Sequence, residues 1–233
     1  MNTSRKIAII VGVLFLTAIV TSLLGGGLLE SILNAPDYLT NVSVNTTQVL
    51  IGMFLELING IAVVGIAVML FPVLKQHNES IARGYFSFRI IESVFCIVSA
   101  IIPLSLITLS QEYLKAGASD ASYFQTLGTL FIAARADLAG LLIPVFFCLS
   151  ALLFYYLLHQ SKLIPRFISV WGLIGVALVL ILNLLEVGII TGMILAFPII
   201  SNEIFLGIWL IVKGFNPSAI ASDSAKTDTN EIK

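Results

Sequence analysis

Cysteine, histidine and charge are all scarce in this chain. Two of the 233 residues are Cys, two are His and 11% are charged. Cys96 and Cys148 stand alone in separate apolar runs, which excludes a disulfide framework and a CxxC metal or redox motif; they read as small packing residues. His77 and His159 fall in predicted loops, so no imidazole is placed at depth to build an intramembrane zinc site or to serve as the base beside a serine nucleophile. No Lys interrupts an apolar run, and a retinal-type Schiff base is thereby excluded. The net charge of -1 supplies no basic face for nucleic acid, where several phosphates would have to be neutralised by clustered Lys and Arg. P-loop and dinucleotide fingerprints are missing too, since Gly25-Gly26-Gly27 follows no strand. No cofactor and no metal is implied.

Apolar residues make up 58% of the sequence and the mean hydropathy is +1.05, whereas a soluble domain carries about 25% charged residues because its surface faces water. Apolar runs recur along the chain near Ile7–Leu29, Thr47–Leu74, Tyr85–Leu109, Tyr123–Leu158, Phe167–Val187 and Ile190–Val212. An α-helix rising about 1.5 Å per residue needs about 20 apolar residues to cross a hydrocarbon core of roughly 30 Å. The predicted fold is therefore all-α, a polytopic membrane helical bundle of about six transmembrane helices. The first run is too long for a signal-peptide core and lacks a small-x-small cleavage pattern, so it reads as a retained helix.

Arg5, Lys6, Lys75, Arg83, Lys162, Arg166 and Lys213 fall on one side of this layout and Lys115 on the other. The positive-inside rule makes the first side cytoplasmic, with both termini inside, in a cell membrane. Residues 1–214 read as a single transmembrane domain and 215–233, rich in Ser, Ala, Asp, Thr and Lys, as a disordered cytoplasmic tail. The fourth run is long enough to project outward, and Ser122 and Gln125 at its start have capping-box spacing. Pro103 and Pro144 are expected to kink the third and fourth helices. The glycine triplet at 25–27 is expected either to allow close helix packing or to end helix one. Asn41-Val-Ser43 and Asn45-Thr-Thr47 match the glycosylation sequon in an outward loop.

Ionisable side chains inside the runs are the informative ones, because each costs several kcal/mol there without a partner, a cavity or the interface. Glu56, Arg135, Asp137 and Glu186 fall in the outer half of their helices, Glu203 near the middle of the sixth. Asn59 and Asn183 lie one turn from Glu56 and Glu186, so each amide shares a face with its carboxylate. These seven residues are the candidate lining of an outward-facing polar pocket. Arg89 and Glu92, three apart on the third helix, are the candidate structural ion pair.

The same residues carry a resemblance. Phe54-Leu-Glu56-Leu-Ile-Asn59, Phe88-Arg89-Ile-Ile-Glu92, the stretch from Ala134-Arg135-Ala-Asp137 to Phe146-Phe147, Leu163-Ile-Pro165-Arg166 followed by Gly172, and Asn202-Glu203 through Trp209 to Lys213-Gly214 resemble the bacterial and archaeal integral membrane family called domain of unknown function 4386. The resemblance covers nearly the whole chain up to Gly214. It implies a multi-span α-helical membrane protein of unassigned activity. Members carry the Glu before the Trp and the Lys-Gly ending; where some have His in the fourth span, this chain has Arg135-Ala-Asp137.

The leading functional reading from sequence is a non-catalytic structural or regulatory membrane protein. The alternative is binding or transport of a small molecule, a proton or a cation through the polar pocket, and the second alternative a membrane-embedded lipid-modifying enzyme. The expected partner is the lipid bilayer, with a small ligand or cation as the further candidate.

Overall fold

The computed structural model describes residues 3–116, 121–184 and 189–220. Among them every regular element is helical: α1 (Thr3–Leu33), α2 (Tyr38–Val44), α3 (Thr46–His77), α4 (Glu79–Ala116), α5 (Ala121–Asp137), a π-helical turn (Leu138–Leu142), α6 (Ile143–Ser161), α7 (Arg166–Leu184) and α8 (Ile189–Val212). Among the described residues six stretches are long and apolar enough to cross a membrane: α1, α3, α4, the continuous Ser122–Ser161, α7 and α8. Between 28% and 44% of each span's most apolar window is buried within the protein, so most of that apolar surface faces outward. Leu23, Phe54, Ile61, Leu130 and Phe197 are each more than half exposed. Such a surface suits lipid and would be costly in water.

The fold resolves into two compact units that share helices. The first comprises the chain up to Thr17, Ala62–Glu92 and everything from Pro144 onward. Its core gathers Phe15, Ile66, Leu70, Tyr85, Phe154 and Tyr155 with surrounding aliphatic side chains. The Phe154 ring stacks on Tyr85 at 5.2 Å and on Phe15 at 6.2 Å between centroids. Asn78 separates α3 from α4, and its side-chain oxygen accepts the Ile81 N–H at 3.1 Å, satisfying one of the free donors of the new helix. At the far end of the sequence, Arg5 donates to the carbonyls of Leu210 at 2.9 Å and Ile211 at 2.6 Å. Those carbonyls lack intrahelical partners, and a guanidinium at the negative end of the helix dipole satisfies them. The start of α1 and the end of α8 therefore lie at the same end of this unit, as an even number of crossings requires.

α8 stops at Gly214, whose φ of 77° is the left-handed conformation that glycine adopts without Cβ strain. Of the segment expected to be an unstructured tail, Phe215 and Ala219 are buried in the first unit's core. The Asn216 N–H donates to Leu163 O at 2.8 Å. Residues 221–233 lie outside the described residues, as do Glu186 and Gly188.

The second unit comprises Ala18–Ile61 and Ser93–Ile143, with a smaller core of Leu29, Ile32, Leu33, Val42, Val49 and Leu106. α1 runs through the glycine triplet to Leu33. Only Gly25 of the three meets a neighbour: a Cβ there would approach the Gly52 carbonyl to 3.0 Å, while Gly26 and Gly27 have nothing within 4 Å. The loop after α1 contains α2, in which Asn41 lies, and Asn45 follows as its C-cap. The Tyr38 hydroxyl ties this segment to α5 by donating to Gln125 O at 2.8 Å. α5 begins at Ala121, so Ser122 sits in its first turn.

The fourth span covers 40 residues, about 60 Å at 1.5 Å per residue, twice what a bilayer core needs. Its π turn answers Pro144. Proline has no N–H for the Gly140 carbonyl and its ring crowds that carbonyl. The wider turn, with Ile143 N–H donating to Leu138 O, accommodates the ring without ending the helix.

Candidate functional site

Two intramembrane polar clusters emerge, one in each unit. In the second unit Arg135, near the C-terminus of α5, forks onto Glu56 of α3, with Nη1 donating to Oε2 at 2.8 Å and Nη2 to Oε1 at 2.5 Å. Nη1 also donates to the Ser99 carbonyl of α4 at 2.8 Å and lies 3.1 Å from its hydroxyl. The Ser99 carbonyl is available for a physical reason. Its helical donor would be the N–H of residue 103, which is Pro103. The proline leaves an acceptor free inside an apolar helix, and Arg135 supplies the donor that the membrane interior cannot. A glycine brings the two helices together: a Cβ on Gly60 would meet Ile97 Cγ1 at 2.8 Å. The Ser93 hydroxyl crosses the same contact to Gly60 O at 2.7 Å. One cation and one anion make this cluster electrically neutral, with α3, α4 and α5 tied through one guanidinium.

The first unit holds the other cluster. Arg89 Nη1 donates to both carboxylate oxygens of Glu92, at 2.7 and 2.9 Å, and the pair is almost wholly buried, with side chains 7% and 5% exposed. The guanidinium lies 5.6 Å from the centre of the Phe147 ring, a cation-π contact strengthened by desolvation. The Ser150 hydroxyl on α6 donates to Phe147 O at 2.9 Å and lies 3.3 Å from Glu92 Oε2. Glu203 of α8 is partly buried and interacts electrostatically with Arg89 and Glu92. The Tyr85 and Tyr155 phenols share this field, Tyr85 interacting with Arg89, Glu92 and Glu203, and Tyr155 with Glu203 and Arg89. Both tyrosines are buried. Among the described residues Tyr155 Oη has no hydrogen-bond partner, and Tyr85 Oη and Arg89 Nε make no bond of full geometry, although the Tyr85 phenol interacts with the Arg89 guanidinium. Tyr155 is held by a close approach to α7, where a Cβ on Gly172 would fall 2.3 Å from its ring.

The charge inventory of this second cluster is uneven. Arg89 neutralises one of the two carboxylates, Glu92 and Glu203, and the remaining carboxylate and the two phenols face low-dielectric surroundings. One proton or one monovalent cation would balance the charge, and the buried Tyr155 phenol has hydrogen-bonding capacity left over among the described residues. Among the described residues no group of three or more His, Cys, Asp or Glu converges as a metal site would require.

Of the residues singled out in the sequence, Glu56 and Arg135 meet each other, and Glu203 interacts electrostatically with Arg89 and Glu92. Asn183 donates from Nδ2 to Val179 O in its own helix at 2.8 Å. Asn59 is partly buried and Asp137 exposed, and Glu186 lies outside the described residues. Sequence reasoning missed Ser99, Ser150, Tyr85 and Tyr155. The one available signal was Pro103, since a mid-span proline marks the residue four before it as a free carbonyl. The hydroxyls and phenols left no comparable trace, because such residues are ordinary in membrane helices.

Comparison with curated proteins and with solved structures gives no match. The family model described as Domain of unknown function (DUF4386) matches residues 10–214, and the chain belongs to that family.

Proposed function

We propose that this protein is a non-catalytic membrane protein that binds a proton or a monovalent cation at the Arg89–Glu92–Glu203 cluster, in the cell membrane. The observation that carries the reading is a second carboxylate, Glu203, in the electrostatic field of the buried Arg89–Glu92 pair, with the buried Tyr155 Oη left without a hydrogen-bond partner among the described residues. A purely structural pair would be expected to close its own charge and hydrogen bonds, as Arg135 does with Glu56 and Ser99. Intramembrane carboxylates that lack a full complement of partners are characteristic of proton and cation sites. The test is the melting temperature of the purified protein as pH, and separately Na+ or K+, is varied. Wild type responds to one of the two and Glu203→Gln loses that response while still folding; an identical response in both proteins would refute the reading.

A second reading, a structural or regulatory protein, is favoured by the Glu56–Arg135–Ser99 cluster, whose bonds are satisfied and whose charge is balanced. The two readings assign different roles to the two clusters. Under the first, Glu56→Gln lowers stability and leaves the pH or cation response intact.

A further inference from the structure

A cavity of about 480 Å³ opens where α6 ends, α7 begins and α8 ends, independent of both clusters. Lys162, Pro165, Arg166, Trp209, Lys213 and Asn216 are among its lining residues. The three basic side chains are exposed, and among the described residues none of them forms an ion pair. Like charges gathered around one cavity repel one another, and an anion of more than point size relieves all three together.

The backbone around the cavity is unusually defined. Lys162 holds a φ of 56° and Gly214 a φ of 77°, both left-handed. For a lysine that conformation persists only where its surroundings fix it. Here the Asn216 N–H bonds Leu163 O at 2.8 Å, closing the α6–α7 connection against the chain after α8. The lysine is thus presented by a locked turn.

An aromatic strip leads away from the cavity along the outward-facing sides of α7 and α8. Trp209 lies 6.2 Å from Phe205, which lies 5.8 Å from Phe167 and 5.9 Å from Trp171 between ring centres. Phe167 and Phe205 are 55% and 37% exposed. A free phosphate would use the basic cavity and leave this strip untouched. A molecule with a phosphate head and an acyl chain uses both, with Trp209 at the boundary where indole rings favour the headgroup level.

We propose that this cavity is a binding site for an anionic phospholipid, its phosphate held by Lys162, Arg166 and Lys213 and an acyl chain lying along Phe205, Phe167 and Trp171. Basic pockets between membrane helices take anionic headgroups in this way.

The experiment titrates the purified full-length protein in neutral detergent with phosphatidylglycerol, phosphatidylcholine, glycerol 3-phosphate and inorganic phosphate, reading bound lipid by native mass spectrometry and stabilisation by thermal melting. Phosphatidylglycerol is expected to bind and stabilise in preference to the other three. Lys162→Gln/Arg166→Gln/Lys213→Gln should lose about a hundredfold in that affinity and Arg166→Gln alone about fivefold, with Arg83→Gln, whose partner is Glu79, unchanged. Melting in phosphatidylcholine shows whether the triple variant folds; if it does not, the single variant carries the test. Equal binding of both lipids, or undiminished phosphatidylglycerol binding by the folded variants, overturns the proposal. Stabilisation by inorganic phosphate equal to that by phosphatidylglycerol would make it a soluble-phosphate site and overturn the lipid assignment.

Discussion

Arg135 shows how much one side chain can hold in a membrane interior. Its guanidinium takes Glu56 in a bidentate grip and the Ser99 carbonyl besides, a fork that a point-charge ammonium cannot reproduce. Glu56→Gln leaves the cation buried without its anion and should cost about 3–5 kcal/mol, the usual consequence of removing one partner of a buried pair. Removing both charges with Glu56→Gln/Arg135→Gln should recover part of that loss, and thermal melting in detergent checks both. At the last turn, Gly214→Ala must hold a side chain at a φ of 77° and place its Cβ 2.9 Å from Arg5 Nη1. It should destabilise by about 1–2 kcal/mol, measurable in the same assay. That Gly214 ends a helix was readable from its place after the last apolar residue; that Arg5 caps the same end was not, because nothing in sequence relates two positions so far apart.

At the scale of the element, prolines set local chemistry as well as helix shape. Pro103 deprives Ser99 of its helical donor, and Arg135 becomes that donor. Pro103→Ala restores an N–H and should make Arg135→Gln less damaging by about 1–3 kcal/mol, the cost of an unsatisfied buried acceptor. A double-mutant cycle on the two substitutions measures the coupling directly. The long spans were legible from their apolar runs, although α4 begins six residues before Tyr85 and ends seven after Leu109. α2 was not, since a helix of 7 residues leaves no periodic signal. The π turn was also missed: Pro144 announced a disturbance of the helix, but sequence alone does not choose between a kink and a wider turn. Phe215 and Ala219 were hidden for a different reason, being two apolar residues in a polar segment whose burial depends on the surface they meet.

For the whole molecule, six spans and the gathering of basic residues near Arg5, Arg166 and Lys213 place both ends of the membrane region on one side. Asp37→Cys should react with a membrane-impermeant thiol reagent in intact cells, whereas Asn78→Cys and Asn216→Cys should react only after permeabilisation. The candidate site was legible in its charged members and not in its grouping. Seven residues on four helices could be nominated from depth and spacing, but which carboxylate meets which arginine depends on helix rotation. A run apolar on every side gives little phase for that rotation. Arg89 and Glu92 were the exception, because their spacing lies within one helix.

Glu203, in the electrostatic field of Arg89 and Glu92, is the group we propose exchanges a proton or a cation. Infrared difference spectroscopy of the reconstituted protein after a pH jump, repeated as a Na+ or K+ jump, reads carboxyl groups directly. A carboxyl or carboxylate band is expected to change with one of the two jumps in wild type and to be missing in Glu203→Gln. A spectrum that responds to neither jump, or a band that survives unchanged in Glu203→Gln, would contradict the proposal.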